Sequence, residues 1–198
     1  NLTLADAEAL MASGAVPAAA AVAPEYDGGG QVIANVTVVG TTPAYQKVNN
    51  LKLAQGSFLS QADLDNRALV AVIGAQVAQD LFGKANPVGQ QIKVAPTNGV
   101  KMTLIVTGVL DSASSSMFNT SDSSIYVPLK TAYGRLCGGW NAHGELAVSR
   151  ISVMATSEAQ VNAAETQVEA ILRQRHGIGA GESDDFSVLN QASLLEMA

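Results

Sequence analysis

The run Leu69-Val70-Ala71-Val72-Ile73 is apolar at every position, is closed by Gly74 and is preceded by the charged Arg67. Successive side chains of a strand point to opposite faces, so a short run with no polar alternation predicts a strand buried on both sides. The next eight residues change period. Ala75 to Phe82 place Val77, Ala78, Leu81 and Phe82 on one helical face, and Gly83 supplies a helix end. A doubly covered strand that feeds an amphipathic helix requires a layered α and β architecture.

The rest of the chain fills in that architecture. Thr3 and Asp6 have capping-box spacing for a helix over 4–12, and an extended segment runs from Val16 to Tyr26. Asp27-Gly28-Gly29-Gly30 reads as the turn of a hairpin, with its second strand over 31–40. Thr42-Pro43 opens a short helix through about Asn49. Residues 91–95 and 101–110 read as strands joined through Pro96-Thr97-Asn98-Gly99, a strong hairpin turn. A polar loop over 111–124 leads to a strand over 124–127 and a helix from Pro128 to about Leu136. Three glycines within 138–144 mark a junction. Beyond it lie a strand over 146–155 and a helix capped by Ser157 and Gln160, with Val161, Ala164, Val168, Ile171 and Leu172 on one face. Gly177-Ile178-Gly179-Ala180-Gly181 ends that helix. Phe186 to Leu189 read as a last strand, and a further helix starts near Asn190.

These elements predict an α+β fold of two subdomains. Residues 1–52 and 141–198 form one discontinuous α/β lobe built from both chain ends, and 53–140 form a small inserted α/β lobe. A helix two residues from the start, and another still open at Ala198, make the chain look cut from a longer protein. Flanking membrane segments, or trimming of a soluble protein, would both account for that.

Composition removes several functions. At 198 residues, 47% hydrophobic and 14% charged, the chain can build a core and is not a disordered segment. A formal charge of −6 with only 11 scattered Lys and Arg argues against nucleic-acid binding. The single cysteine, Cys137, excludes an internal disulfide framework and a multi-cysteine metal site. No stretch reaches the roughly 18 to 20 uninterrupted apolar residues of a membrane helix, and no signal peptide is evident.

Motifs that would carry chemistry fare no better. Gly177-x-Gly179-x-Gly181 follows a helix, whereas a phosphate-binding loop precedes one, so it reads as a helix cap. No Walker sequence and no Gly-x-Ser-x-Gly elbow occurs. His176 falls in a last helical turn, where a capping or dipole role is expected, and His143 lies in the glycine-rich junction. Glu182, Asp184 and Asp185 lack the ligand spacing of a calcium loop and read as solvated acids. No catalytic residue, cofactor or metal ligand is assigned. Three residues remain as partner-contact candidates. Trp140 is either an exposed anchor or packing between the lobes, and Met117 with Phe118 are apolar side chains on the polar loop.

Several stretches together resemble a known family. They are Val39-Gly40-Thr41-Thr42-Pro43-Ala44-Tyr45, Leu51 through Phe58, Ala71-Val72-Ile73-Gly74 with Leu81-Phe82-Gly83, and Asn86-Pro87-Val88-Gly89-Gln90-Gln91-Ile92. Further along are Gly108-Val109-Leu110, Ile125 through Leu129, Arg175 through Ile178, Asp184-Asp185-Phe186, Asn190-Gln191 and Leu194-Leu195. In this order they resemble the MacB-like periplasmic core domain of FtsX-like ABC transporter permeases. The resemblance implies a porter-like lobe with a small inserted lobe, lying outside the cytoplasmic membrane between two membrane helices. It also implies a non-enzymatic part that transmits ATP-driven motion during export or efflux. Its partners would be a second permease copy, an ABC ATPase domain or subunit, and a periplasmic adaptor protein. The competing expectation is a free-standing extracytoplasmic small-molecule binding module, which predicts a preformed pocket.

Overall fold

The computed structural model describes residues 2–31, 35–97, 100–112, 121–135 and 139–190. Its elements are, in order, α1 (Leu4–Met11), β1 (Ala19–Gln31), β2 (Asn35–Thr41), α2 (Ala44–Val48), β3 (Leu53–Gly56), α3 (Gln61–Asp65), β4 (Val70–Ile73) and α4 (Ala75–Phe82). They continue with β5 (Gln91–Pro96), β6 (Met102–Leu110), β7 (Ser124–Pro128), α5 (Leu129–Arg135), β8 (Arg150–Ala155) and α6 (Val161–Arg175). The mixed α and β class expected from the sequence is the one observed.

One sheet runs β2-β7-β4-β6-β5-β1-β8, with β3 paired to β6 and a further ladder between β1 and β2. The hydrogen-bonding path therefore returns on itself, because β1 pairs both with β2 and, through Gly30 and Gln31, with β5. The ring is closed by mixed ladders: β2 with β7 and β4 with β6 are parallel, while β4 with β7 and β5 with β6 are antiparallel.

β4 is the centre. Ala71, Val72 and Ile73 are each fully buried. Ala71 and Ile73 join a core of Val38, Ile92, Val94, Leu104, Val106, Ile125 and Val127, whereas Val72 joins Tyr45, Phe58, Leu110 and Tyr126 on the other side. The two-sided burial predicted for Leu69 to Ile73 holds over Ala71 to Ile73, divided residue by residue between two cores, whereas Leu69 lies outside the strand and is 39% exposed. A third core, Leu10, Val16, Val22, Val168 and Leu172, fills the space between α1, α6 and the β1–β8 ladder.

Local chemistry explains the helix ends. Thr3 caps α1 with the predicted box, its hydroxyl accepting from Asp6 N while the Asp6 side chain accepts from Thr3 N. α6 ends in a Schellman motif, with Ile178 N donating to Arg173 O and Gly177 N to Gln174 O at a glycine whose φ is 66°.

Several expectations are corrected. Asp27 to Gly30 are not a turn but part of the 13-residue β1, paired opposite Val39, Val38, Thr37 and Val36. Glycine weakens an isolated strand, but near Gly30 the strand is paired on both edges, with β2 and with β5. Ser157 makes no side-chain cap; a 3-10 turn over Glu158–Gln160 leads into α6 instead. β8 begins at Arg150, with Leu146 and Ala147 forming only isolated bridges. Phe186 to Leu189 form no strand; Phe186 packs against the third core. β3 and α3 were not anticipated, although Ser60 and Asp63 form a capping box visible in the sequence. The Asn98-Gly99 turn and the helix expected beyond Asn190 lie outside the described residues.

Candidate functional site

Three places combine exposure, charge or burial in ways that packing alone does not require. The first is the connection from α5 to β8. Asn141 organises it: its Oδ1 accepts from His143 N and Glu145 N, both at 2.9 Å, and its Nδ2 donates to Glu145 Oε2 at 2.9 Å. Trp140 bridges to Leu146, Ala147 N donates to Gly139 O at 2.8 Å, and Tyr133 Oη anchors the loop by donating to Ala147 O at 2.7 Å. On this fixed frame Trp140 is 62% exposed. Trp140 is thus exposed and not buried as packing between lobes. Met117 and Phe118 lie outside the described residues.

The second place joins α1 and α6, the first and last of the described helices. His176, the C-cap of α6, places Nε2 3.1 Å from Asp6 Oδ2 and Nδ1 2.6 Å from Asp185 Oδ1. Arg175 Nε donates to Asp6 Oδ1 at 2.7 Å. Burial alone would raise the Asp6 pKa, but hydrogen bonds from Arg175, His176 and Thr3 outweigh it and hold the carboxyl at about 2. The neighbouring acids are also engaged. Asp184 pairs with Arg173, and Glu182 Oε2 accepts from Gly179 N at 2.7 Å. The acidic trio read as solvated is therefore used to fasten the segment after α6. The partners lie in the last turns of α6 and in the glycine-rich segment just after it, which spacing within the trio does not reveal. Both ring nitrogens of His176 face carboxylates, so neither is placed to take a proton from a hydroxyl nucleophile.

The third is buried. Glu25 in β1 is 3% exposed; it accepts from Ser152 Oγ at 2.9 Å and is also bonded by Tyr45. Burial pushes its pKa up, opposed by Ser152 and Arg150 and reinforced by Asp27. Asp27 is raised by burial as well, against the pull of Arg150. Sequence reasoning passed over Glu25, whose only signal was an acid inside an otherwise apolar extended segment.

An open cleft of about 580 Å³ lies between Leu2, Val148, Ser149 and the stretch Asp184 to Ser187. Among the described residues, no group of three or more His, Cys, Asp or Glu could hold a metal ion. No described helix is long and apolar enough to cross a membrane.

This arrangement of sheet and helices is the fold of solved ABC transporter regions outside the membrane. The periplasmic region of MacB from Actinobacillus actinomycetemcomitans superposes with a TM-score of 0.74 at 23% identity, over 100% of this chain and 82% of that one. The extracellular domain of the transporter YknZ from Gram-positive bacteria gives 0.68 at 21% identity, over 96% and 89%. Sequence then fixes the family: residues 1–171 match the MacB-like periplasmic core domain, and the chain belongs to that family. It is 33% identical to the macrolide export ATP-binding/permease protein MacB of Rhodospirillum rubrum across its whole length. Over 80% of its length it is 30% identical to the pyoverdine export ATP-binding/permease protein PvdT of Pseudomonas entomophila. It spans only 29% and 22% of those two relatives.

Proposed function

We propose that this chain is the extracytoplasmic domain of an ABC exporter permease. It makes and breaks no bond itself. ATP binding and hydrolysis on another domain or subunit rearrange the membrane helices, and the domain transmits that motion to what it touches outside the membrane. A second permease copy is the first such partner and an adaptor protein the second, with Trp140 as the contact residue.

The observation that carries this reading is the alignment of the whole chain with 29% of an export ATP-binding/permease protein. That leaves ATP binding to other parts of such a protein, and this chain has no Walker sequence of its own. We also retain two lobes, 1–52 with 141–198 and 53–140. The third core, whose members run from Leu2 to Val22 and from Ile151 to Phe186, draws only on the outer segments, while Val38 and Tyr45 of the first segment join cores with residues of 53–140, so the support lies with the α1–α6 side of the outer lobe. The binding-module alternative has less support, because the described cleft is open and its Asp184 and Asp185 are engaged by Arg173 and His176.

The test uses the intact transporter that carries this domain, with Cys137→Ser and a spin label at Ala142→Cys beside Trp140. The label-to-label distance between the two permease copies is expected to differ between nucleotide-free and ATP-bound states. A distribution that ignores nucleotide sinks the transmission reading, and the absence of any inter-copy distance sinks the dimer.

A further inference from the structure

Among the described residues, β3 and β8 each pair with a single other strand, whereas the remaining strands each pair with two or more. β3 is blunted in the way natural sheet edges are: it has only four residues and a register shift between Leu53 and Gln55. β8 carries no such device. It contains no Pro, Gly or Lys, its one charge is Arg150 at the first position, and its ladder with β1 is regular from Arg150 to Met154.

Both faces of β8 are occupied. Ile151 and Val153 pack against the third core. On the alternate face, Ser152 Oγ donates to Glu25 Oε2 at 2.9 Å, and Tyr45 of α2 bonds the same carboxylate. Yet no residue of β8 is buried, whereas all five residues of β7, a strand with neighbours on β2 and β4, are. The solvent exposure of β8 therefore enters through its edge. A straight open edge offers a row of backbone N–H and C=O groups to an added strand.

The sequence of β8 indicates which strand fits. Set antiparallel against itself about Ser152, the run Arg150-Ile151-Ser152-Val153-Met154 places Ile151 opposite Val153 twice, Ser152 opposite Ser152, and Arg150 opposite Met154 twice. β-branched side chains then meet on the core face, and the two guanidinium groups fall at opposite ends, so no like charges are opposed. A two-fold axis normal to the sheet keeps the faces matched, and such self-complementary contacts are the commonest in symmetric assemblies.

We propose that β8 is a dimerisation edge: in the assembled transporter it pairs antiparallel with β8 of a second copy, in register at Ser152, and joins the two sheets into one. The inference rests on the export reading for its partner, a second permease copy, and adds the surface and the register. The new bonds run between backbones, so neither core has to change.

The experiment uses the intact transporter that carries this domain, with Cys137→Ser and one cysteine at a time from Arg150→Cys to Met154→Cys, oxidised in nucleotide-free and ATP-bound states. Directly opposed residues have Cα atoms about 4.5–5.5 Å apart, within reach of a disulfide. Residues 150 and 154 each lie about 13 Å along the strand from their own counterpart. Cross-linking is expected to peak at Ser152→Cys and fall on both sides. Because Ser152→Cys also removes a bond to Glu25, a second pair checks the register: copies with Ile151→Cys mixed with copies with Val153→Cys should cross-link better than either alone. Met154→Lys, set opposite Arg150, should lower Ser152→Cys cross-linking roughly fivefold, and Met154→Glu should raise it. Cross-links at no position, a peak elsewhere on β8, or cross-linking of β8 to a different protein overturns the proposal. If spin labels at Ala142→Cys still report an inter-copy distance in that event, the dimer stands and this edge alone is refuted; if they report none, the dimer falls with it.

Discussion

At Gly40 in β2 a Cβ atom would lie 2.3 Å from Ala132 Cβ in α5 and 3.4 Å from the Tyr26 carbonyl oxygen. Neither neighbour is the flexible end of a side chain, so Gly40→Ala should lower stability by about 1–3 kcal/mol, the usual range for overpacking a core, seen as a lower urea midpoint. Trp140 gives the opposite expectation. Its side chain is 62% exposed, so Trp140→Ala should change stability by no more than about 0.5 kcal/mol while reducing export by the intact transporter. A loss of stability well beyond that range would make it a packing residue instead. Residues differ in how openly their roles are written. The capping pair Thr3 and Asp6 is legible from a spacing of three. The second role of Asp6 depends on Arg175, 169 positions away, and no local pattern records that.

At the scale of elements, the legible ones are those whose periodicity and end signals agree. β4, α4, the β5–β6 hairpin strands and α1 fall close to where apolar spacing and caps put them. β3 is missed because only four residues form it and three of them are exposed, so it has no apolar pattern to read. β1 is misread at its glycines because a strand can be held by ladder bonds on its edges, which composition does not show. α6 is found, but with the wrong N-terminus: the Ser157 hydroxyl accepts no cap bond. Helix capping can be tested where it is complete. Thr3→Ala removes the acceptor for Asp6 N and should cost about 1 kcal/mol. Urea unfolding of the variant is expected to show a lower midpoint with an unchanged slope; an unchanged midpoint would mean that Arg175 and His176 hold Asp6 and α1 without the cap.

For the whole molecule, the buried and paired titratable groups set a pH profile. Asp6 is lowered from 3.8 to about 2, so its contribution is present above the upper value and lost as pH falls through the lower, roughly 2 kcal/mol in all. His176 and Glu25 act at the other end. Both are raised in the folded protein, so each favours folding below its unfolded value and loses that favour as pH climbs through its folded one. Stability should therefore be greatest in mild acid and decline on both sides, measurable as thermal midpoints across pH. Glu25→Gln keeps an acceptor for Ser152 without a charge to bury, and should shrink the difference between pH 5 and pH 8; an unaltered profile would remove Glu25 from the account.

β1 gives the molecule a mechanical property as well. Six of its positions, between Ala19 and Glu25, lie against β8, and the next six, Tyr26 to Gln31, lie against β2. At ~3.3 Å per residue its 13 residues span at most about 43 Å, so one continuous strand, with a register shift between Ala19 and Ala21, crosses from the α1–α6 layer into the ring. Antiparallel ladder bonds stand perpendicular to the strands. A pull along β1 loads every rung of a ladder together, whereas a sideways pull opens them singly, like a zip. The domain is thus stiff along the line that joins its outer layer to its ring and compliant across it, the anisotropy of a push rod.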